Sequence, residues 1–317
     1  MRTRRISTRL AIAALLAPMA ATGCGEDDPG TPPTRSQQRA ASSLAARFDA
    51  GRAFRDLEAQ VRFGPRPAAS AANRRLVGWL AARLRDAGVS KVRIQRPHRN
   101  VVGTIPGGKP GAIVVGAHHD TKDAIRRFVG ANDGASGVAV VLEIARALPD
   151  RLDGPSIELA LFDAEEARGD RPFTEDGARG SAQYVRYARG GARQGSPPLD
   201  EIEAMVLFDL VGDCELGIPL EGNSDGALYE RFQAAAVALE PEGDGEPFVG
   251  EADPVLDDHV PFAEAGVPAV DLIDFSFGPG PSPGAWWHTT EDDLDRVCAS
   301  SLGAVGRPAL VALNGIR

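Results

Sequence analysis

The sequence predicts an α/β fold: a single domain with a central twisted, mostly parallel mixed β-sheet flanked by helices on both faces. Three observations carry this. From residue 90 onward, short apolar runs alternate with longer amphipathic ones, the order that builds a parallel sheet with crossover helices. Residues 112–118 (AIVVGAH) are apolar nearly throughout, the pattern of a strand buried on both faces. Acidic and His residues recur at the carboxyl ends of the strand-like runs, where ligands bind in such sheets. With 317 residues, 43% of them hydrophobic, the chain can bury a sizeable core.

Residues 1–24 form a targeting segment. Arg2, Arg4, Arg5 and Arg9 give a cationic start, and the apolar run 10–21 is too short to span a bilayer comfortably. The segment ends in Ala21-Thr22-Gly23-Cys24, which resembles a bacterial lipoprotein cleavage box. That resemblance implies an exported, membrane-anchored lipoprotein facing the extracytoplasmic side, with its lipid anchor on Cys24. Residues 25–37 are polar and rich in Pro and Gly, a flexible tether. The remainder, 38–317, is one domain.

Within it, 38–62 has helical periodicity. Gly64-Pro65-Arg66-Pro67 stops it, and an amphipathic helix follows over 71–87, ended by Gly88. Strands are expected at 92–95, 100–105, 112–118, 156–162, 204–210 and 267–273. Helices are expected at 137–148, 180–188, 225–239 and 293–314. The acidic run Glu291-Asp292-Asp293 suits the amino-terminal cap of that closing helix.

The formal net charge is −9, which argues against nucleic acid as a partner. The three cysteines, Cys24, Cys214 and Cys298, form no Cys-x-x-Cys pair, which argues against a thiolate zinc site. Whether Cys214 and Cys298 pair is left open by the sequence. The chemistry therefore rests on carboxylates and five histidines. His118-His119-Asp120, Asp133, Asp163-Ala164-Glu165-Glu166, Asp209, Asp257-Asp258-His259 and His288 all fall near strand ends. So many acids would repel one another, and a divalent cation resolves that repulsion. Mixed His and carboxylate ligands suit a catalytic zinc site. His119 alternates away from His118 and reads as packing, His98 as surface, and His259 as hydrogen-bonded within its own loop.

These motifs together resemble the zinc aminopeptidase superfamily, and within it the glutaminyl-peptide cyclotransferases (glutaminyl cyclases). The residues that carry the resemblance are Arg62 to Pro67 (RFGPRP), Gly130 to Gly137 (GANDGASG), Glu165-Glu166, Asp258-His259-Val260-Pro261-Phe262 and His288-Thr289. It implies Asp133, Glu166 and His288 as zinc ligands and Glu165 as general acid/base. It implies Asp120 as the carboxylate that orients His118. A second zinc would use His118 and Asp209, with Asp133 bridging. A cis peptide between Asp133 and Gly134 is implied as well.

The cyclase branch is favoured by Phe162-Asp163 before the Glu pair, by Asp257-Asp258-His259, by Asp209-Leu210-Val211-Gly212 and by Trp287 before His288. This chain departs from the animal members at Asp271, where they carry His, and in the loop 167–179. That loop lacks their covering Trp, with Arg171 and Phe173 nearest. The resemblance implies an enzyme that converts amino-terminal Gln of peptides or proteins to pyroglutamate and releases ammonia. Glu165 would move the proton, Asp209 and Asp257 would assist, and Trp287 (with Trp286 or Phe277) would wall the substrate. The alternative is a zinc metallo-aminopeptidase, in which Glu165 activates water against the first peptide bond.

Overall fold

The apolar run Ala112–His118 is the middle of the molecule. It forms a strand buried at every position, which only a sheet covered on both faces allows. The computed structural model describes residues 35–191, 193–240 and 246–316. The targeting segment, Cys24 and residues 25–34 of the tether lie outside them.

In chain order the elements are α1 (Arg35–Ala45), α2 (Ala50–Val61), α3 (Ala71–Asp86), β1 (Ser90–Ile94), β2 (Val101–Ile105), β3 (Ala112–His118), α4 (Ser136–Ala147), β4 (Ser156–Phe162), α5 (Phe173–Asp176), α6 (Arg179–Arg189), β5 (Ile202–Asp209), β6 (Ile218–Glu221), α7 (Gly226–Leu239), β7 (Phe248–Ala252), α8 (Val260–Ala263), β8 (Ala269–Ile273) and α9 (Ala299–Gly315). The main sheet has the order β1-β2-β4-β3-β5-β8. β4, β3, β5 and β8 run parallel, while β1 and β2 add an antiparallel edge. The expected mixed, mostly parallel sheet is thus observed.

Side-chain alternation divides the core in two. Ile113, Val115 and Ala117 of β3 pack with Leu159, Val206 and Phe208 and with α2, α4, α7 and α9. Val114 faces the other way, with Phe162, Met205, Leu207 and residues of α6 and α8. Fully burying each such side chain stabilises by about 1.5–3 kcal/mol. β3 connects through α4 to β4 on one side, whereas β5 leads onward to β8 on the other. The crevice between the carboxyl ends of β3 and β5 is therefore a topological switch point, where ligands bind in open α/β sheets.

Some boundaries differ from those the sequence predicts. The helical stretch 38–62 is two helices, because Asp49 caps a new one by accepting from the backbone N–H of Arg52 at 2.9 Å. The closing helix starts only at Ala299. Before it, Val297 bridges Asp213 and Cys298 is disulfide-bonded to Cys214, which keeps the backbone extended. β6 and β7 escaped the sequence reading. They are a short parallel pair with poor alternation, and β7 exposes three successive residues, one of them Gly250 at φ +80°. Among the described residues no helix is long and apolar enough to cross a membrane.

Glu158 is buried in β4, where it accepts from Thr104 Oγ1 at 2.8 Å. Burial pushes its carboxyl up to about 7, against the pull of the Thr104 hydrogen bond. The folded-state value lies above that of the unfolded chain. The folded state is therefore least penalised below about pH 4.5, and stability is lost as the pH rises through about 7. Glu158→Gln keeps an acceptor for Thr104 and removes this titration. The variant should be more stable than the wild type at pH 8 by about 1–3 kcal/mol, because each tenfold change in proton affinity is worth about 1.36 kcal/mol. At pH 4 it should be no more stable. Denaturant midpoints at the two pH values check this; an equal difference at both would refute it.

Candidate metal centre and catalytic pocket

Three parallel strands and their following loops deliver the charged residues. β3 ends in His118, β4 leads into Asp163-Ala164-Glu165-Glu166, and β5 ends in Asp209. The loop before α4 supplies Asp133. Its backbone turns at Gly134 (φ +88°), where a Cβ would lie 2.5 Å from the Asp120 carbonyl oxygen. Gly137 lets α4 press onto β5: a Cβ there would sit 1.9 Å from Phe208 O. The loop and the first residue of α4 are tied to the turn that follows β5: Asn132 Oδ1 accepts from Gly212 N (2.7 Å) and Ser136 Oγ accepts from Val211 N (3.1 Å).

The side chains converge. Asp133, Glu166 and His288 each offer a ligand atom, all within 4.8 Å of one another. His288 Nε2 lies 3.1 Å from Glu166 Oε1 and 3.4 Å from Asp133 Oδ2. A second group, His118, Asp133 and Asp209, meets the same criterion, with His118 Nε2 3.2 Å from both carboxylates. Asp133 is common to the two. Its Oδ2 is buried without a hydrogen-bond partner, 3.4 Å from His288 Nε2. An unpaired buried carboxylate oxygen flanked by a carboxylate and an imidazole fits a divalent cation, and one His with two carboxylates leaves a zinc coordination position open.

The electrostatics describe the same crowding. Burial lifts the Glu165 carboxyl well above its ordinary range, and its acidic neighbours Glu166, Asp257 and Asp258 add to this against the opposing pull of His118. Burial and Asp133 raise Glu166. Burial would depress His118, but Asp209 and Glu165 reverse the sign and hold it well above its usual value. Asp133 shows the opposite balance: burial raises it, and hydrogen bonding to His118 and the charge of His288 bring it below the ordinary value. Asp257 is pushed up to about 7 by burial and by Asp209.

Glu165 and Glu166 open with Asp133, Asp209, Asp257 and His288 into one pocket of about 380 Å³. Trp287 stacks on His288, ring centroids 3.9 Å apart and planes 16° apart, and Phe275 packs edge-on against it at 5.1 Å. Arg171 and Phe173, the residues singled out in the Trp-less loop, do line this pocket. Trp286 instead lines a neighbouring cavity, and Phe277 is fully buried beneath it.

Several expectations are corrected. The cis bonds among the described residues are Arg96-Pro97, Glu246-Pro247 and Ser282-Pro283, so Asp133-Gly134 is trans; the left-handed Gly134 makes the turn instead. Asp120 lies 3.8 Å from His118 Nδ1, too far for a hydrogen bond, and accepts from the Glu165 N–H at 3.1 Å. His259 leaves its own loop and faces Glu221 Oε1 at 3.2 Å and Asp271 Oδ2 at 3.7 Å. His98 is half-buried rather than surface, its backbone N–H held by Gln183.

Asp292 is the residue the sequence reading misplaced. It caps no helix; it is fully buried and accepts from the N–H groups of Asn132 (2.6 Å) and Asp133 (3.0 Å). Its position four residues after His288 was the available signal. Arg66, from the RFGPRP motif, braces the same loop through the carbonyls of His119, Val129 and Gly130.

A mostly parallel sheet with carboxylates and imidazoles converging at its carboxyl end is an α/β scaffold with a candidate metal centre beside a small pocket. Comparison with known proteins places it further. The model of peptidase family M28 matches residues 100–313, and the chain belongs to that family. It is 30% identical over 231 residues to the glutaminyl-peptide cyclotransferase of Boiga irregularis, covering 64% of this chain and 61% of that relative. It is 29% identical over 201 residues to the aminopeptidase YwaD of Bacillus subtilis, covering 62% of this chain and 39% of that one. The crystal structure of an Acidobacteriales bacterium glutaminyl cyclase superposes with a TM-score of 0.72 at 28% identity, over 84% of this chain and 94% of that one. The chain spans about three fifths of the length of the cyclotransferase relatives it matches.

Asp292→Asn would set an amide N–H₂ against two backbone donors. It should cost about 1–3 kcal/mol, the usual penalty for orphaning a buried donor. Denaturation of metal-free protein at pH 9, where the Asp292 carboxyl, pushed up to about 8 by burial, is ionised, checks this, and an unchanged midpoint would mean that the loop is held without Asp292.

Proposed function

We propose that this chain is a zinc-dependent glutaminyl-peptide cyclotransferase, which converts amino-terminal Gln to pyroglutamate with release of ammonia. The observation that carries it is the small pocket in which buried Glu165 faces the Asp133, Glu166 and His288 group beneath Trp287. Cyclotransferases among the relatives and structural neighbours support the same reading.

Asp133, Glu166 and His288 would hold one zinc ion. Bound there, zinc supplies Lewis acidity toward a side-chain amide carbonyl. The pocket walls, Trp287 and Phe275, pack the substrate methylenes and hold the α-amine against the amide carbon in near-attack geometry. The amine nitrogen forms the new C–N bond of the lactam while the bond to the departing nitrogen breaks. Glu165 takes the proton from the amine and returns it to the leaving group, which departs as ammonia. A carboxyl raised by burial suits a group that must both accept and give a proton. Asp209 and Asp257 position Glu165 and the leaving amide.

One observation favours a second reading. His118, Asp133 and Asp209 form another three-ligand group, the arrangement that a two-zinc aminopeptidase requires. In that case Glu165 would activate water against the first peptide bond.

The tether and targeting segment complete the proposal: export, lipidation of Cys24, a linker that ends by Arg35, where α1 begins inside the expected tether 25–37, and a catalytic domain from there to 317. The Cys214–Cys298 disulfide supports an oxidising compartment. Palmitate labelling of the full chain should be abolished by Cys24→Ser; undiminished label would exclude this anchor.

The deciding assay sets ammonia release from a Gln-initiated peptide beside free amino acid release from Leu-, Ala- and Gln-initiated peptides. Ammonia release is expected, and it should fall about 10²–10⁴-fold in Glu165→Gln with zinc content unchanged. Amino acid release without ammonia would replace the cyclase with the aminopeptidase. A Glu165→Gln variant retaining a tenth of wild-type turnover would remove Glu165 from the proton-transfer role.

A further inference from the structure

The catalytic pocket has a larger neighbour, a cavity of about 1100 Å³. Pro254, Val255, Ile273 and Phe275 line both, so the two volumes adjoin across these residues. The larger cavity is lined by the carboxylates of Asp213, Glu215, Glu221, Glu251, Asp253 and Asp274 and, among the described residues, by no Lys, Arg or His.

These acids fall into three kinds. Asp213 and Asp274 are buried and already accept from backbone N–H groups of the loops around them. Glu221 is 1% exposed, and its Oε1 makes no hydrogen bond of normal geometry, although His259 Nε2 is 3.2 Å away. Glu215, Glu251 and Asp253 are exposed, and no described cation pairs with them. Arg296 does not neutralise them: it lies over the Trp286 ring at 4.3 Å and pairs with Glu291 at 2.8 Å.

A second observation points to an elongated ligand. Three large hydrophobic side chains are exposed among the described residues. Two of them, Val249 (44%) and Leu256 (45%), line the larger cavity and the catalytic pocket respectively. Exposed apolar groups that flank carboxylates suit side chains with an aliphatic stem and a cationic head.

We propose that the acidic cavity receives the residues that follow the amino-terminal residue of a substrate peptide, and that it selects those carrying Lys or Arg. This rests on the reading that peptide amino termini enter the catalytic pocket. At about 380 Å³ that pocket is near the lower end for ligand sites. An extended chain advances about 3.3–3.6 Å per residue, so a peptide anchored by its first residue must leave over the rim within a few residues. The rim formed by Val255 and Phe275 leads into the acidic cavity. Lys or Arg side chains there would meet Glu251 and Asp253, with Val249 beside their stems. Exposed pairs of this kind are individually weak, about 0.2–1 kcal/mol, so the preference comes from a few acting together and is sensitive to salt.

The test uses the zinc-loaded full chain and three amidated peptides, Gln-Ala-Lys-Lys-Ala, Gln-Ala-Ala-Ala-Ala and Gln-Ala-Glu-Glu-Ala. Equilibrium binding and ammonia release are both measured. The Lys peptide should bind about 3- to 10-fold more tightly than the Ala peptide, and the Glu peptide more weakly than either. The difference should collapse in 0.5 M NaCl and in a Glu251→Gln, Asp253→Asn double variant, which should turn over the Ala peptide normally. Equal affinities, no binding at all, or a preference untouched by the double variant would overturn the proposal. A Lys preference in binding with no ammonia from any peptide would uphold it and overturn the cyclase reading instead.

Discussion

Carboxylates buried side by side at the carboxyl end of the sheet are the constraint on which the rest of the structure depends. Asp133, Glu165, Glu166, Asp209, Asp257 and Asp258 are each at most 8% exposed. Charges so placed cannot all be ionised without compensation. The protein meets this in three ways. It sets imidazoles between the acids, as His118 lies between Asp133 and Asp209. It lifts carboxyls toward neutrality, as at Asp257 (about 7) and Asp292 (about 8), where burial is the main cause. It also leaves Asp133 Oδ2 without a protein donor, at a place suited to a cation. The fold makes the crowding possible, because parallel β3, β4 and β5 all finish at the same edge.

Holding such groups in place requires backbone that would not be chosen for its own sake. Ala164, Leu210 and His288 all adopt positive φ (61°, 47° and 52°), and each either is a site residue or adjoins one. Non-glycine residues in the left-handed region cost on the order of 1–3 kcal/mol each and persist where surrounding structure over-determines them. Here that surrounding structure is visible. The Glu165 N–H is fixed by Asp120, the Leu210 N–H by Asp209 Oδ1 at 2.8 Å, and the His288 ring is clamped between Trp287 and Phe128. The strain lies on the link between fold and chemistry: it aims the side chains at one point.

The sheet and the convergence of the site were both legible in the sequence, for a physical reason. A strand buried on both faces must be apolar, as 112–118 is. A strand end that changes abruptly to His, Asp or Glu marks where the sheet meets a ligand site. What was not legible depended on contacts far apart in the chain. Asp292 lies 159 residues from Asp133, and only the folded loop shows that it serves that backbone rather than a helix. His259 was assigned to its own loop because its partners, Glu221 and Asp271, stand on β6 and β8. β6 and β7 carry too little alternation to announce a sheet. Trp287 could be placed beside His288 from adjacency alone, whereas Trp286 could not be assigned to a different cavity without the turn at Gly278, whose missing Cβ makes room for the indole ring.

Cyclisation and hydrolysis differ on this scaffold in the nucleophile, so the decisive property of the pocket is how far it keeps bulk water from the reacting carbonyl. An internal amine reacts well when the substrate fills the cavity, and an open cavity gives water an equal chance. Trp287 and Phe275 close one wall, and Val255 and Leu256 another. The loop from Ala167 to Arg179 closes the third without a Trp. Arg168, Arg171 and Arg179 all pair with Asp176, at 2.5, 3.3 and 2.7 Å, and this fixes the turn that carries Arg171 and Phe173 to the pocket. Hydrogen bonding from Arg168 holds the Asp176 carboxyl well below its ordinary range, so the cluster keeps its charge at any working pH. This wall is therefore positioned by ion pairing to one buried carboxylate, with Arg171 and Phe173 as the side chains it presents.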